Sequence, residues 1–72
     1  MTEAMLSARN ELRGEVTNVE TDGVAAEVSI DVGDGETVTA VITRRSVENL
    51  DVDVGDEVAA VVKATDVLVA NE

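Results

Sequence analysis

The sequence contains no cysteine, histidine, proline or aromatic residue. The missing cysteines exclude a disulfide framework, a thiolate metal site and a cysteine nucleophile, and the missing histidines exclude Ser-His catalysis and a His-liganded zinc ion. No apolar run approaches the roughly 20 residues that span a bilayer, and the N-terminus lacks the features of a signal peptide. We therefore expect residues 1–72 to form one soluble, cytoplasmic domain that is not an enzyme and binds no membrane.

Positive charge is also scarce. The 16 Asp and Glu residues outnumber the 5 Lys and Arg residues, which gives a formal net charge of -11. This charge and the lack of aromatic side chains disfavour nucleic acid as a partner. Lys63 is the only lysine, and acidic residues in place of lysines indicate a halophilic protein. In a high-salt cytoplasm, a Debye length of about 3 Å at 1 M would mute the repulsion of anions at a distance.

The core that this chain can build is small. Most of the 44% of hydrophobic residues are valine and alanine. The core of a domain of about 70 residues rarely contributes more than roughly 3–5 kcal/mol to the free energy of unfolding, and this domain has no cysteines for stabilising disulfide bonds. Oligomerisation is the remaining route to stability, and we predict it. A marginally stable monomer is the alternative, because some domains of about 55–65 residues fold alone.

Strands are predicted along most of the chain, because valine is abundant and apolar residues recur at every second position. The clearest case is residues 24–32, and residues 33–35 follow as a glycine-rich hairpin turn. Another strand is predicted at residues 36–43. The segment before residues 24–32 is also strand-like, because Leu12, Gly14 and Val16 alternate in one phase and Val19 falls in the other. This phase slip near Thr17 and Asn18 indicates a β-bulge or a sharp coil in a long first strand.

The period changes after residue 43. Ser46 suits a helix N-cap, and Val47 and Leu50 lie three residues apart, so one helical turn is predicted. The last two strands are predicted at residues 57–63 and 66–70. The former is apolar on both faces, which indicates a cover formed by the barrel or by a partner subunit. The fold class predicted is all-β, a small five-stranded OB-like barrel with a helical turn between strands 3 and 4. Half of a β-sandwich is the alternative.

Four of the five basic residues lie next to hydroxyl-bearing side chains. Arg9 follows Ser7, Arg44 and Arg45 lie between Thr43 and Ser46, and Lys63 precedes Thr65. Guanidinium, ammonium and hydroxyl donors, with backbone N–H groups at a helix N-terminus, suit a small oxyanion. The alternative is structural, because such cations often pair with neighbouring carboxylates and such hydroxyls often cap backbone.

Three segments resemble the Mop (molbindin) family of molybdate-binding, TOBE-like domains. They are MLSARNELRGEV at residues 5–16, TAVITRRSV at residues 39–47, and GDEV at residues 55–58 followed by VKATDV at residues 62–67. The resemblance covers residues 5–69. Three segments in this order and spacing are more specific than any one of them.

The resemblance implies an OB-like fold that assembles as a dimer and commonly as a hexamer, a trimer of dimers. It implies no cofactor and a molybdate or tungstate ligand, bound without catalysis at subunit interfaces for storage or homeostasis. The binding residues would come from two motifs of one subunit and a central motif contributed across the interface. They are Ser7, Ala8, Arg9, Thr43, Ser46, Lys63, Ala64 and Thr65.

Some alternatives stay open. The same domain could act as an oxyanion-sensing or docking module with a molybdate transporter ATPase or a regulator. The chain departs from the family pattern in the loop after Leu50 and in its acidity, which could weaken anion affinity at low salt. The Asp-rich residues 51–56 faintly resemble a calcium loop but lack the EF-hand ligand series, so no metal site is predicted.

Overall fold

A four-stranded antiparallel sheet forms the body of the protein. A computed structural model describes residues 10–71. The strands are β1 (Asn10–Asp22), β2 (Ala25–Gly33), β3 (Glu36–Thr43) and β4 (Glu57–Val62), and helix α1 (Arg44–Leu50) lies between β3 and β4. The order of the strands in the sheet is β3-β2-β1-β4. This confirms the all-β class and the position of the helix. The described residues include no helix that is long and apolar enough to cross a membrane.

Strand β1 is the longest strand and pairs with two neighbours. Its first half, Asn10 to Glu15, pairs with β4, and the stretch from Glu15 to Asp22 pairs with β2. The register with β2 shifts between Val16 and Asn18, which confirms the predicted bulge. Because the bulge inserts one residue, Val16 and Val19 both reach the inner face of the sheet although their spacing is odd.

The loop before β4 is tied to this bulge. Val16 N–H donates to Asp56 O at 2.9 Å, and Gly55 N–H donates to Val16 O at 2.8 Å. Within the loop, Asp53 N–H donates to Asp56 Oδ2, and Val54 N–H donates to Asp53 Oδ1, both at 2.9 Å. The aspartates that faintly resembled a calcium loop therefore hold the loop's own backbone in place.

The buried core is small and lies on the inner face of the sheet, under α1. The alternating pattern predicted most of this face, but Val24 is an exception because it precedes β2 and is 83% exposed. Leu50 is also exposed, so only Val47 of the predicted helical pair is buried. The buried residues are Val16, Ala26, Val28, Ile30, Val47 and Ala60.

The predicted fifth strand is wrong for the chain as described. Strand β4 ends at Val62, a 3-10 helix follows at Ala64–Asp66, and residues 67–71 have no regular secondary structure. Leu68 and Val69 are each 93% exposed. The pattern predicted an extended backbone, but a strand also needs a neighbour to accept its hydrogen bonds, and no described strand pairs with this segment. Residues 10–71 also leave the outer face of β4 uncovered, since Ala59 and Val61 are exposed. A cover formed by a partner subunit stays a prediction.

Gly14 lies where β1 passes closest to β2. A Cβ atom at this position would overlap the carbonyl oxygen of Asp31 and lie 2.8 Å from Ile30 Cγ2. A side chain would therefore push β1 away from the strand that carries half of the buried core residues.

We expect Gly14→Ala to lower the free energy of unfolding by about 2–3 kcal/mol, as overpacking of a well-packed site does. Gly35→Ala is the control: Gly35 has a φ of 76° with no atom near its would-be Cβ. That variant should lose only about 1 kcal/mol. Urea unfolding at constant salt measures both. Equal losses would contradict a steric role for Gly14.

Candidate oxyanion-binding site

The hydroxyl groups of Thr43 and Ser46 meet at the junction between β3 and α1. Thr43 Oγ1 accepts the N–H of Ser46 at 3.0 Å and donates to Ser46 Oγ at 2.8 Å. Because Ser46 Oγ accepts this bond, its own hydrogen is directed elsewhere and can donate to a ligand. The helix cap thus positions one hydroxyl donor.

The cap residue differs from the predicted one. Helix α1 begins at Arg44, and Thr43 is its N-cap with an extended backbone (φ -78°, ψ 151°). The assignment to Ser46 is wrong because Ser46 is already helical and its N–H is the group being capped. The alternating pattern of β3 continues through Thr43, which hid its second role as a cap. The N–H of Arg44 is also occupied, since it donates to Val24 O at 2.8 Å.

Positive charge collects at the same junction. Arg44 and Arg45 occupy the first turn of α1, while no basic residue lies in its last turn. This order is opposite to the one that the helix dipole favours, so the two arginines add to the positive end of the dipole. Arg44 Nε lies 3.9 Å from Glu48 Oε2 in an exposed pair, which offsets little of this charge. The junction therefore carries a local excess of positive charge.

The second group of candidate residues follows β4. Lys63 is the N-cap of the 3-10 helix Ala64–Asp66, with a φ of -64° and a ψ of 140°, and it makes no side-chain capping bond. The backbone turn closes through Asp66 N–H, which donates to Lys63 O at 2.9 Å. Lys63, Ala64 and Thr65 are all exposed. An ammonium and a hydroxyl thus stand on one short turn that is open to solvent.

The structure does not bring these two groups together within one chain. Thr43 pairs with Ala25, which in turn pairs with Asp22 at the end of β1. Lys63 comes directly after Val62, which pairs with Asn10 at the start of β1. The two groups therefore lie at opposite ends of a 13-residue strand. The remaining candidates, Ser7, Ala8 and Arg9, lie outside the described residues.

Asn10 is a positioning residue that the sequence analysis did not single out. Its side-chain Nδ2 donates to Val62 O at 3.2 Å and so fastens the start of β1 to the end of β4, next to Lys63. The signal was present in the sequence, because Asn10 ends the Ser-Ala-Arg-Asn stretch that resembles the family motif.

The predicted structural alternative has two parts. Its hydroxyl part holds at Thr43, whose side chain caps the backbone of α1. Its other part, in which the cations pair with carboxylates, finds limited support. Among residues 10–71, the Arg44–Glu48 contact is the only ion pair. The same range holds no group of three or more acidic side chains arranged to bind a metal ion.

Comparison with known proteins assigns the chain to a family. The sequence model of the TOBE domain matches residues 6–69. The chain belongs to the TOBE domain family. Molybdenum-pterin-binding protein 3 of Clostridium pasteurianum is 44% identical over 64 residues, which cover 89% of this chain and 94% of the relative.

Two solved structures resemble this TOBE domain in fold. MopII from Clostridium pasteurianum has a TM-score of 0.86 and 42% identity, covering 92% of this chain and 98% of that one. A molybdate-binding protein from Sporomusa ovata has a TM-score of 0.86 and 38% identity, covering 92% and 97%. These similarities confirm the resemblance to Mop proteins and the OB-like architecture of the curled sheet.

Proposed function

We propose that this TOBE domain binds molybdate or tungstate, without catalysis, at interfaces between its own subunits in the cytoplasm. The role would be storage or homeostasis of the oxyanion. The observation that carries the proposal is the placement of two cation-and-hydroxyl groups at opposite ends of β1 in a chain whose relatives are molybdate-binding proteins. Each group is half of a site, and a second copy supplies the other half.

The proposed donors suit a tetrahedral dianion. Lys63 brings a point charge, Thr65 and Ser46 bring hydroxyl donors, and Thr43 orients Ser46 through their 2.8 Å hydrogen bond. By the family resemblance, Ser7, Ala8 and Arg9 belong to the same half of the proposed site as Lys63. Such donors stabilise negative charge on a bound anion, so we propose binding alone.

The proposed assembly would also bury apolar side chains that the monomer leaves exposed. An apolar groove on the inner face is lined by residues of β2, β3 and β4 together with Leu50 and Val52. The apolar residues 67–69 are exposed and pair with no strand among residues 10–71. We propose that this segment of a second copy covers the groove, in a dimer at least and in a hexamer formed as a trimer of dimers. Burial of such side chains contributes about 25 cal/mol per Å² of apolar surface.

We expect Leu68→Ser combined with Val69→Ser to shift the protein from oligomer to monomer, because the covering segment loses its apolar surface. Val41→Ser is the matched control, since Val41 is 71% exposed but lies on the outer face of β3. Sedimentation equilibrium at constant salt measures the mass of each. An unchanged mass in the double variant would overturn the proposed assembly.

Isothermal titration of the oligomer with molybdate in about 1 M KCl tests the binding function, because that salt screens the distant carboxylates. Wild-type protein should release heat with saturation, and Lys63→Gln should bind about 10- to 100-fold more weakly, as expected for the loss of a charged hydrogen bond. Arg13→Gln removes the same charge from the outer face of β1 and should bind as wild type does.

Two results would refute the proposed site. Wild-type protein that gives no heat with molybdate or tungstate would refute the function. Equal affinities of Lys63→Gln and Arg13→Gln would refute the assignment of Lys63. A protein partner recovered in stoichiometric amount would instead favour the docking role with a transporter ATPase or a regulator.

A further inference from the structure

The outer face of the sheet carries a row of carboxylates on three adjacent strands. Glu15 of β1 lies directly opposite Asp31 of β2 and also directly opposite Glu57 of β4. A further pair of like charges, Glu20 and Glu27, lies along the ladder between β1 and β2. All of these residues are exposed. Like charges directly opposite each other destabilise a sheet, so this arrangement opposes the pairing of β1 with both neighbours.

Little fixed positive charge offsets this row. Arg13 lies on the same face of β1 as Glu15, two residues away, but its cross-strand partner is Ala59. The sole ion pair found within residues 10–71 joins Arg44 to Glu48 in α1, outside the sheet. The net charge of -11 shows that the chain as a whole has no surplus of cations to recruit. Beyond what the described basic residues supply, dissolved cations are a source of neutralisation.

The distances between opposing carboxylates determine how much salt is needed to screen their repulsion. Side chains directly opposite in an antiparallel pair have Cβ atoms about 4.5–5.5 Å apart. The Debye length is about 10 Å at 0.1 M salt and about 3 Å at 1 M, so the repulsion is only partly screened at the lower concentration and is largely screened at the higher one. The buried core contains no side chain larger than isoleucine, which leaves a small margin of stability.

We propose that the acidic row Asp31–Glu15–Glu57 makes the folding of this sheet depend on dissolved salt, so that the domain is stable at molar concentrations of a monovalent salt and unfolds readily at low salt. The proposal concerns the outer face of the sheet and is independent of the oxyanion site.

Thermal unfolding in about 0.1 M and about 1 M KCl tests this inference, at one protein concentration and without oxyanion. The midpoint of the wild-type protein should rise with salt. At the lower salt, Glu15→Gln should unfold about 4–8 °C higher than wild type, and its midpoint should change less with salt. Glu11→Gln is the matched control, since Glu11 also lies two residues from Arg13 on the same face but opposite Val61.

A charge reversal sharpens the test. Glu15→Lys places a cation between Asp31 and Glu57, so its stability at low salt should exceed that of Glu15→Gln and should fall as salt screens the attraction. Sucrose strengthens burial without screening charge, and should raise the midpoints of all variants alike. A wild-type midpoint that does not depend on KCl, or equal effects of Glu11→Gln and Glu15→Gln, would overturn the proposal.

Discussion

The double pairing of β1 is the constraint on which the rest of the structure depends. One long strand serves two neighbours, and it can do so only because it bends and slips its register at the bulge after Val16. Gly14 allows the close approach to Asp31 and Ile30 just before that bulge. The loop before β4 is hydrogen-bonded to Val16 itself, so the bulge also determines where β4 begins. A short sheet with few large side chains thereby curls enough to enclose a core.

The same strand separates the two halves of the proposed site. Since β3 ends near one end of β1 and β4 ends near the other, the groups around Thr43 and Lys63 cannot meet inside one copy of this fold. The described part of the chain also leaves an apolar groove open and the apolar residues 67–69 exposed. A single proposed event, the association of copies, would complete both the core and the site. In this account, ligand binding and assembly are therefore thermodynamically linked.

The local sequence pattern predicted much of the fold. The alternation of β2 and β3, the phase slip at Thr17 and the glycine-rich turn at residues 33–35 were all readable, because each depends on neighbouring residues alone. The cap at Thr43 was misassigned because a threonine that ends a strand and one that begins a helix look alike in sequence. The fifth strand was overpredicted because strand formation requires a partner, which local pattern does not report. The carboxylates that lie opposite each other on neighbouring strands could not be predicted either, because strand register depends on the partner strand.

The candidate site residues came from the family resemblance rather than from their spacing. The topology adds that these residues fall into two separate groups.

Complementation between two defective variants tests the shared site most directly. Lys63→Gln damages one proposed half-site and Ser46→Ala the other, so each variant alone should bind molybdate weakly. Subunits of the two variants, unfolded together and refolded as mixed oligomers, should regain strong binding at those interfaces where an intact Lys63 meets an intact Ser46. Titration of the mixed oligomers with molybdate measures the recovered sites. Recovery of strong binding is the predicted result, and mixed oligomers that bind no better than either variant alone would contradict a site formed between subunits.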